Sequence, residues 1–179
     1  KISNKDLYDG CREAFHNGFQ AVKLYFLCGL PGEREVDLDG IVEMADTISR
    51  IGKEETGRFA KVTASVSNFV PKAHTPYQWN GMQSAEYFSW AHQHLRKINR
   101  NRSVVVKCHD TETSLLEGVL SRGDRRTAAA VELAWRNGSR MESWREHMKP
   151  EIWWNALSET GVNAHQILHE PSEIGDRLP

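Results

Sequence analysis

Residues 20–33, QAVKLYFLCGLPGE, contain the strongest signal for the fold of this chain. They predict a strand over 20–28 that runs directly into a Gly-Leu-Pro-Gly turn. A strand that is apolar on both faces is typical of a parallel sheet covered by helices. Ligands of such sheets bind at the loops that follow the strands, so residues 29–33 are the first candidate for a site. The apolar side chains are Val22, Leu24, Phe26 and Cys28 on one face and Ala21, Tyr25 and Leu27 on the other.

The composition is that of a soluble globular protein. The 179 residues are 39% hydrophobic and 26% charged, and they suit one domain, or one domain with an appendage. The net charge of −1 provides no general attraction to nucleic acid or to membrane lipid. No apolar run approaches the roughly 18 residues of a membrane span, and no signal peptide is present. We therefore expect a cytoplasmic protein without a membrane partner.

The cysteines and the first residue add two expectations. Cys11, Cys28 and Cys108 are far apart and form no C-x-x-C pair, which disfavours a zinc site and a redox motif and fits a reducing cytosol. The chain begins at Lys1 without Met, and we expect it to be a piece cut from a longer protein. A trimmed full-length protein is the alternative.

Periodicity divides the chain into an α/β part, residues 1–108, and a helical part, residues 109–179. In the first part, strand, helix and strand follow one another within about fifty residues, which predicts a right-handed βαβ unit. Ser3 with Asp6 predicts a capping box for the first helix. The predicted elements are a helix 3–17, a strand 20–28, a helix 35–51 ended by Gly52, a charged turn 53–58, a strand 61–70, a loop 71–81, a helix 85–99 and a strand 103–108.

The helical part predicts four helices and an irregular end. Ser139 with Glu142 predicts a capping box for the third helix, which Pro150 is expected to stop. Residues after Gly161 have little periodicity and are expected to wrap the surface. The predicted helices are 110–123, 125–137, 139–149 and 151–160.

Two loops contain residue types that carry chemistry. The glycines of GLPGE allow backbone amides to point at a ligand, although a plain strand-to-helix turn is the commoner reading of that motif. The exit of the second strand is richer, since Lys72 and His74 suit anion binding or proton transfer, and Phe69 and Trp79 suit stacking on a flat ring. A rigid proline-rich loop is the equally weighted alternative.

The other polar clusters indicate less. His92 and His94 are two residues apart on a helix and so cannot share a metal ion, and we predict no metal site in this chain. Arginines and tryptophans of the helical part suit single-stranded nucleic acid. Interspersed acids favour instead a charged helical surface over an aromatic core, with the tryptophans in that core. The members are Arg122, Arg125, Arg126, Arg136, Arg140 and Arg145, with Trp135, Trp144, Trp153 and Trp154.

Three stretches, in order, resemble the last third of a radical S-adenosylmethionine (SAM) enzyme barrel. They are VKLYFLCGLPGE, VTASVSNFVPKAHTPYQW and SLLEGVLSRGDRRTAAAVELAW, and the last is similar to the C-terminal region of an uncharacterised bacterial group with a cobalamin-binding-like domain ahead of the barrel. The resemblance implies the C-terminal part of a TIM-like radical SAM barrel followed by an α-helical appendage. It also implies that the two strands are like the fifth and sixth barrel strands, whose ends line the SAM site. The residues so implied are Gly29, Leu30, Pro31, Gly32, Asn68, Phe69 and Val70, with Phe69 or Val70 against the adenine.

The family's hallmark C-x-x-x-C-x-x-C loop, which holds a [4Fe-4S] cluster, is absent from this chain, as is the Gly-Gly-Glu segment that holds the SAM amino group. The resemblance implies that both precede Lys1 and that this fragment alone is inactive. The full-length enzyme would then cleave SAM reductively to a 5′-deoxyadenosyl radical acting on an unknown substrate, and cobalamin use stays open. Lys72 and His74 are the weak candidates for substrate contact, and no catalytic residue is assigned.

A second hypothesis needs no catalysis. The helical region would be a docking or RNA-contact module, with Arg125, Arg126 and Arg140 as its contacts, so nucleic acid binding stays open. A truncated barrel also exposes a strand edge, from which we expect self-association of the fragment.

Overall fold

The computed structural model describes residues 3–142, 144 and 146–172. The described chain falls into two compact units. The sheet unit comprises Lys1–Cys28, Gly32–Ser67 and Ser89–His109. The helical unit comprises Gly29–Pro31, Asn68–Phe88 and Asp110–Pro179, so it includes two earlier segments of the chain, while His109 belongs to the sheet unit.

The first six elements have the predicted α/β order. Three strands form an open parallel sheet in the order β1-β2-β3, with Val62 beside Val104 and Val66 beside Cys108. The α/β prediction is confirmed, and the described residues form an open sheet rather than a barrel. The elements are α1 (Asn4–His16), β1 (Ala21–Cys28), α2 (Glu35–Thr56), β2 (Lys61–Asn68), α3 (Ala85–Ile98) and β3 (Val104–Cys108).

Alternation in the strands decides which face of the sheet is buried. The even-numbered residues are buried or half-buried, and Leu24, Cys28, Val62 and Val66 are among the buried ones. On the odd-numbered face of the edge strand β1, Tyr25 is 73% exposed and Leu27 is 49% exposed. The expectation that both faces of this strand are covered is therefore wrong for the described chain, because apolar side chains on this face have no layer over them.

The helix α2 is longer than the sequence predicts. Gly52 does not end it, because the helix continues to Thr56. A Cβ placed on Gly52 would lie 2.4 Å from the Cβ of Ala60. The glycine is instead a close-packing position, next to a Ser49 side chain that donates to the Ala60 carbonyl at 2.9 Å. Residues 53–56 continue the helix, and Gly57 ends it in the left-handed region with φ 77°. The predicted charged turn is therefore mostly helical.

The predicted N-terminal cap of α1 is confirmed in detail. The Ser3 side chain accepts from the Asp6 backbone, and the Asp6 side chain accepts from the Ser3 backbone. Arg12 of α1 then pairs with Glu54 and Glu55 of α2, at 3.0 and 2.6 Å. These contacts join the two helices within the sheet unit.

The described residues after β3 form four helices. Asp110 caps the first, since its side chain accepts from the Thr113 backbone at 3.0 Å. The helix 151–160 is found one residue earlier at each end, and the helix 125–137 is shorter than predicted. The elements are α4 (Thr111–Arg122), α5 (Thr127–Arg136), α6 (Pro150–Glu159) and α7 (Ala164–His169).

Two predictions about this unit are wrong. The described residues among 139–149 form turns rather than a helix, because Met141 has φ 55° and a right-handed helix cannot pass through that backbone. Pro150 starts α6 at its first position, where a missing N–H costs nothing, and stops no helix. The irregular end contains α7, whose cap is Asn163, while residues 173–179 lie outside the described residues.

Candidate functional site

The turn after β1 has the backbone that its glycines predict. Gly29 has φ 88° and Gly32 has φ 79°, both in the left-handed region. Gly29 is buried, and a Cβ there would lie 2.5 Å from the Phe88 ring. Pro31 and Gly32 are exposed, and a Cβ on Gly32 would meet nothing within 4 Å. Gly29 thus serves packing, whereas the turn from Pro31 to Gly32 offers open backbone to a ligand.

The exit of β2 is largely engaged within the helical unit. Asn68 is buried and donates its side-chain amide to the Ser114 hydroxyl at 3.0 Å. Phe69 is 7% exposed, and its ring meets the Tyr77 ring edge-on with centroids 5.8 Å apart. Val70 approaches Gly118 of α4, where an added Cβ would lie 4.0 Å from it. Little of the Phe69 ring is therefore available for stacking.

The structure places most of the implied SAM residues in one unit. Gly29–Pro31 and Asn68–Val70 belong to the helical unit, and Gly32 belongs to the sheet unit. Gly29 lies against the Phe88 ring, and Val70 lies close to Gly118 of α4, all within the helical unit. Sequence order alone contains no such grouping, since these segments are about forty residues apart.

The two weak substrate candidates have different surroundings. The Lys72 ammonium pairs with Glu117 at 2.6 Å and donates to the Ser121 hydroxyl at 2.8 Å. His74 is exposed and has φ 62°, a strained backbone for a residue other than glycine. Its backbone N–H donates to the Gln78 side chain at 2.9 Å. Lys72 is thus tied to α4, and His74 presents its ring to solvent.

The cysteines do not assemble a metal site. Cys11 and Cys28 are buried and Cys108 is half-buried, and none of the three is in a disulfide. Burial, together with the nearby Glu33 and Cys108, raises the pKa of the Cys28 thiol to about 12. Within residues 3–142, 144 and 146–172, no group of three or more His, Cys, Asp or Glu side chains is placed to hold a metal ion. The thiols are therefore protonated packing groups at neutral pH.

The neighbouring histidines of α3 point to different environments, as their spacing predicts. His92 is buried, with its Nε2 3.9 Å from the Cys28 Sγ. The His94 Nε2 lies 2.6 Å from an Asp39 carboxylate oxygen, and its ring stacks on Trp90 with centroids 5.6 Å apart. Each histidine joins α3 to another element of the sheet unit.

A surface cavity of about 1240 Å³ lies in the sheet unit, lined by α2 and by the segment before β3. Its charges largely neutralise one another. Asp46 pairs with Arg50 at 2.8 Å and accepts from the Asn101 side chain at 2.8 Å. The Lys53 ammonium lies over the Phe59 ring, 4.7 Å from its centroid. The cavity therefore has no net preference for one ligand charge.

The tryptophans of the helical unit are not all in its core. Trp153 is buried, and Trp154 donates to Glu112 at 2.8 Å. Trp135 is 57% exposed and Trp144 is 62% exposed, so the expectation that they are core residues is wrong. The Arg140 guanidinium lies 4.4 Å from the Trp135 ring centroid. Helical periodicity could not place Trp144, because it lies in turns and not in a helix.

Sequence reasoning also missed a group of lysines on the exposed face of the sheet. Lys23, Lys61 and Lys107 lie at odd-numbered positions of β1, β2 and β3. The signal that would have found them is the period-two pattern of the strands, once the odd face is known to be open.

Comparisons with known proteins reveal one distant likeness. The chain is 23% identical over 127 residues to the uncharacterized protein MJ0966 of Methanocaldococcus jannaschii. The match covers 69% of this chain and spans only about a quarter, 26%, of that protein. No family model matches the chain. No solved structure matches it either.

No helix among residues 3–142, 144 and 146–172 has both the length and the apolar character to cross a membrane.

Proposed function

We propose that this chain is the C-terminal wall of a radical SAM enzyme barrel, followed by a helical appendage. The observation that carries the proposal is the parallel order of β1, β2 and β3, with the GLPG turn after β1 and the NFVPKAHTP loop after β2. This is the order and strand direction that the family resemblance requires. In the full-length enzyme, earlier barrel strands would pair with the free edge of β1.

The implied cofactors fit the described residues unequally. The cysteines do not fit a [4Fe-4S] cluster, as they are scattered and buried or half-buried, and no step through a cluster follows from them. For SAM, the open backbone of Pro31 and Gly32 suits close approach of a polar ligand. Asn68 and Phe69 would support the site by packing rather than by contact with the ligand, because they are engaged with Ser114 and Tyr77. When bound in the full-length enzyme, SAM would supply the radical for hydrogen abstraction.

The decisive experiment uses the full-length gene product reconstituted with iron and sulfide under reducing conditions. The proposal expects a [4Fe-4S] absorption spectrum and SAM-dependent formation of 5′-deoxyadenosine. It fails if neither is found, or if the gene upstream of Lys1 encodes no C-x-x-x-C-x-x-C segment. The 179-residue chain alone is expected to form no 5′-deoxyadenosine.

A matched pair of variants tests the role of the turn. Gly32→Val in the full-length enzyme is expected to raise the Kd for SAM by about tenfold or more, because the side chain would enter space kept for the ligand. Gly18→Val is the control, since Gly18 also has a positive φ, 93°, with nothing within 4 Å of an added Cβ. Equal SAM affinity in the two variants would remove Gly32 from the site.

A second candidate function rests on the exposed Trp135 and on the Arg140 guanidinium stacked against it. An aromatic ring and an arginine side by side suit contact with single-stranded RNA. Arg126 contributes less than the sequence suggests, because it pairs with Asp124 at 2.9 Å. This function would belong to the helical unit and needs no cofactor.

Fluorescence titration with a short single-stranded RNA at several salt concentrations tests this candidate. Arg140→Ala combined with Trp135→Ala should weaken binding about tenfold and lower the salt dependence. Arg136→Ala is the control, since Arg136 is already paired with Glu132 at 2.5 Å. No binding at low salt would end this candidate.

A further inference from the structure

The odd-numbered face of the sheet is continuous across all three strands. Thr63 lies beside Val105 and Ser65 beside Lys107 in the β2–β3 register. The Lys61 N–H donates to the Gln20 carbonyl at 3.1 Å, and parallel ladder geometry then places Lys61 beside Ala21. Continued along the strands, this register puts Ser65 between Tyr25 and Lys107.

This face is positively charged and carries no acid. The three strands, AVKLYFLC, KVTASVSN and VVVKC, contain three lysines and neither Asp nor Glu. The ammonium groups of Lys61 and Lys107 form no ion pair with any side chain in the described part of the chain. A protein of net charge −1 thus concentrates uncompensated positive charge on one open surface.

Hydroxyl groups lie in the same surface. Thr63, Ser65 and Ser67 lie at odd-numbered positions of β2, where Thr63 and Ser67 are half-buried and Ser65 is only 9% exposed. Ser65 pairs with Lys107 in the register, and Ser67 is the next residue of β2 on this face, so the Ser67 hydroxyl and the long Lys107 side chain can reach one ligand group together. Ammonium and hydroxyl donors without a competing carboxylate match the oxygens of an anion.

We propose that this face binds a small organic anion through its phosphate or carboxylate group. Lys107 provides the charge, and Ser67 and Thr63 provide hydroxyl donors. Lys23 and Lys61 add a positive potential along the same face. Under the proposed function the anion is the substrate of the radical enzyme, and that link alone rests on the proposed function.

The aromatic content of the face favours a small anion over a nucleic acid strand. Platforms for single strands stack successive bases on aromatic side chains. Here the central strand β2 has none, and the exposed ring that β1 contributes, Tyr25, has the Lys23 ammonium 4.6 Å from its centroid. Charge and hydroxyl donors are abundant, whereas stacking surface is not.

The test is a titration of the 179-residue chain with pyrophosphate and, separately, with citrate, at constant ionic strength set by chloride. Calorimetry gives the affinity, and backbone amide shifts locate the site. We expect saturable binding, with shifts concentrated in β2 and β3. The anion that binds more tightly shows whether phosphate or carboxylate is the preferred group.

Variants make the test specific. Lys107→Ala is expected to weaken binding about tenfold to hundredfold, and Lys107→Arg to retain most of it. Lys97→Ala is the control, because Lys97 is an exposed lysine on α3 of the same unit. Circular dichroism checks that each variant keeps its fold.

The proposal is overturned if neither anion binds more tightly than chloride, if Lys97→Ala weakens binding as much as Lys107→Ala, or if a short oligonucleotide outcompetes both anions. The assay needs neither a cluster nor SAM. A negative 5′-deoxyadenosine assay with positive anion binding would therefore reject the proposed function alone.

Discussion

The Cys28 thiol links burial to the pH dependence of stability. Its pKa is raised to about 12 from an ordinary value of 9.0, chiefly by burial. The unfolded chain therefore releases this proton above pH 9 while the folded chain keeps it. We expect the free energy of unfolding to fall as pH rises from 9 towards 12, by at most about 1.4 kcal/mol per pH unit from this group.

Urea unfolding between pH 8 and pH 11 measures this effect, and Cys28→Ala should show a shallower decline than the parent. Equal slopes would mean that the thiol is not buried as described. Alkylation with iodoacetamide at pH 8 offers a second reading, since Cys28 should react only after denaturation.

Gly29 combines backbone strain with a close contact, and a matched glycine separates the two. Gly29→Ala imposes a Cβ at φ 88° and 2.5 Å from Phe88, whereas Gly18→Ala imposes one at φ 93° with open space. We expect Gly18→Ala to lower the free energy of unfolding by about 1–2 kcal/mol. Gly29→Ala should cost about 1–3 kcal/mol more because of the clash. Chemical denaturation compares them, and equal losses would contradict the packing role of Gly29.

The link between α4 and α7 depends on one arginine at the end of α4. Arg122 donates to the carbonyls of Ile167 at 2.6 Å and Glu170 at 2.8 Å, and also to that of Asn80. Burial lowers the pKa of the Arg122 guanidinium. The three carbonyls provide the hydrogen bonds that water would make to an exposed guanidinium. Arg122→Ala is expected to cost about 2–4 kcal/mol of unfolding free energy, and Arg122→Lys to recover only part, since it lacks the planar set of donors.

Thermal and urea unfolding report this loss, and limited proteolysis near α7 reports its location. Arg136→Ala serves as the control, because Arg136 is an exposed residue of the same unit. A loss no greater than that of the control would show that α7 does not depend on Arg122.

At the level of the whole fragment, the free edge of β1 is the feature most exposed to association. The Lys61–Gln20 hydrogen bond turns the even-numbered N–H groups of β1 towards β2 and those of Lys23, Tyr25 and Leu27 towards the edge. We expect concentration-dependent self-association of the 179-residue chain through this edge. Tyr25→Pro should reduce it, because it removes an edge donor and spares the β1–β2 ladder.

Light scattering over a hundredfold range of concentration measures this association. The control is Tyr25→Phe, which keeps the backbone N–H at the edge. A proline substitution elsewhere, such as Tyr87→Pro, would not serve as the control, because Tyr87 lies inside α3 and proline breaks a helix. A monomer at every concentration would contradict the prediction.

Local signals were sufficient for most elements. The Ser3–Asp6 capping box and the apolar run of residues 20–28 are short-range properties, and each predicted its element to within one or two residues. Gly52 and Pro150 were misread for a common reason. Glycine and proline end helices by default, but Gly52 is required by the approach of Ala60, and Pro150 is favoured at a first helical position.

The α/β order, the glycine turn after β1 and the absence of a cluster motif can be predicted from the residues alone, because these depend on neighbours along the chain. The open face of the sheet, the engagement of Phe69 and Lys72 and the exposure of Trp135 follow from the packing of distant segments. Those outcomes depend on contacts such as Lys72 with Glu117, forty-five residues apart, which no local pattern encodes. Burial is a property of the packed molecule, and the chemistry available to a side chain follows from it.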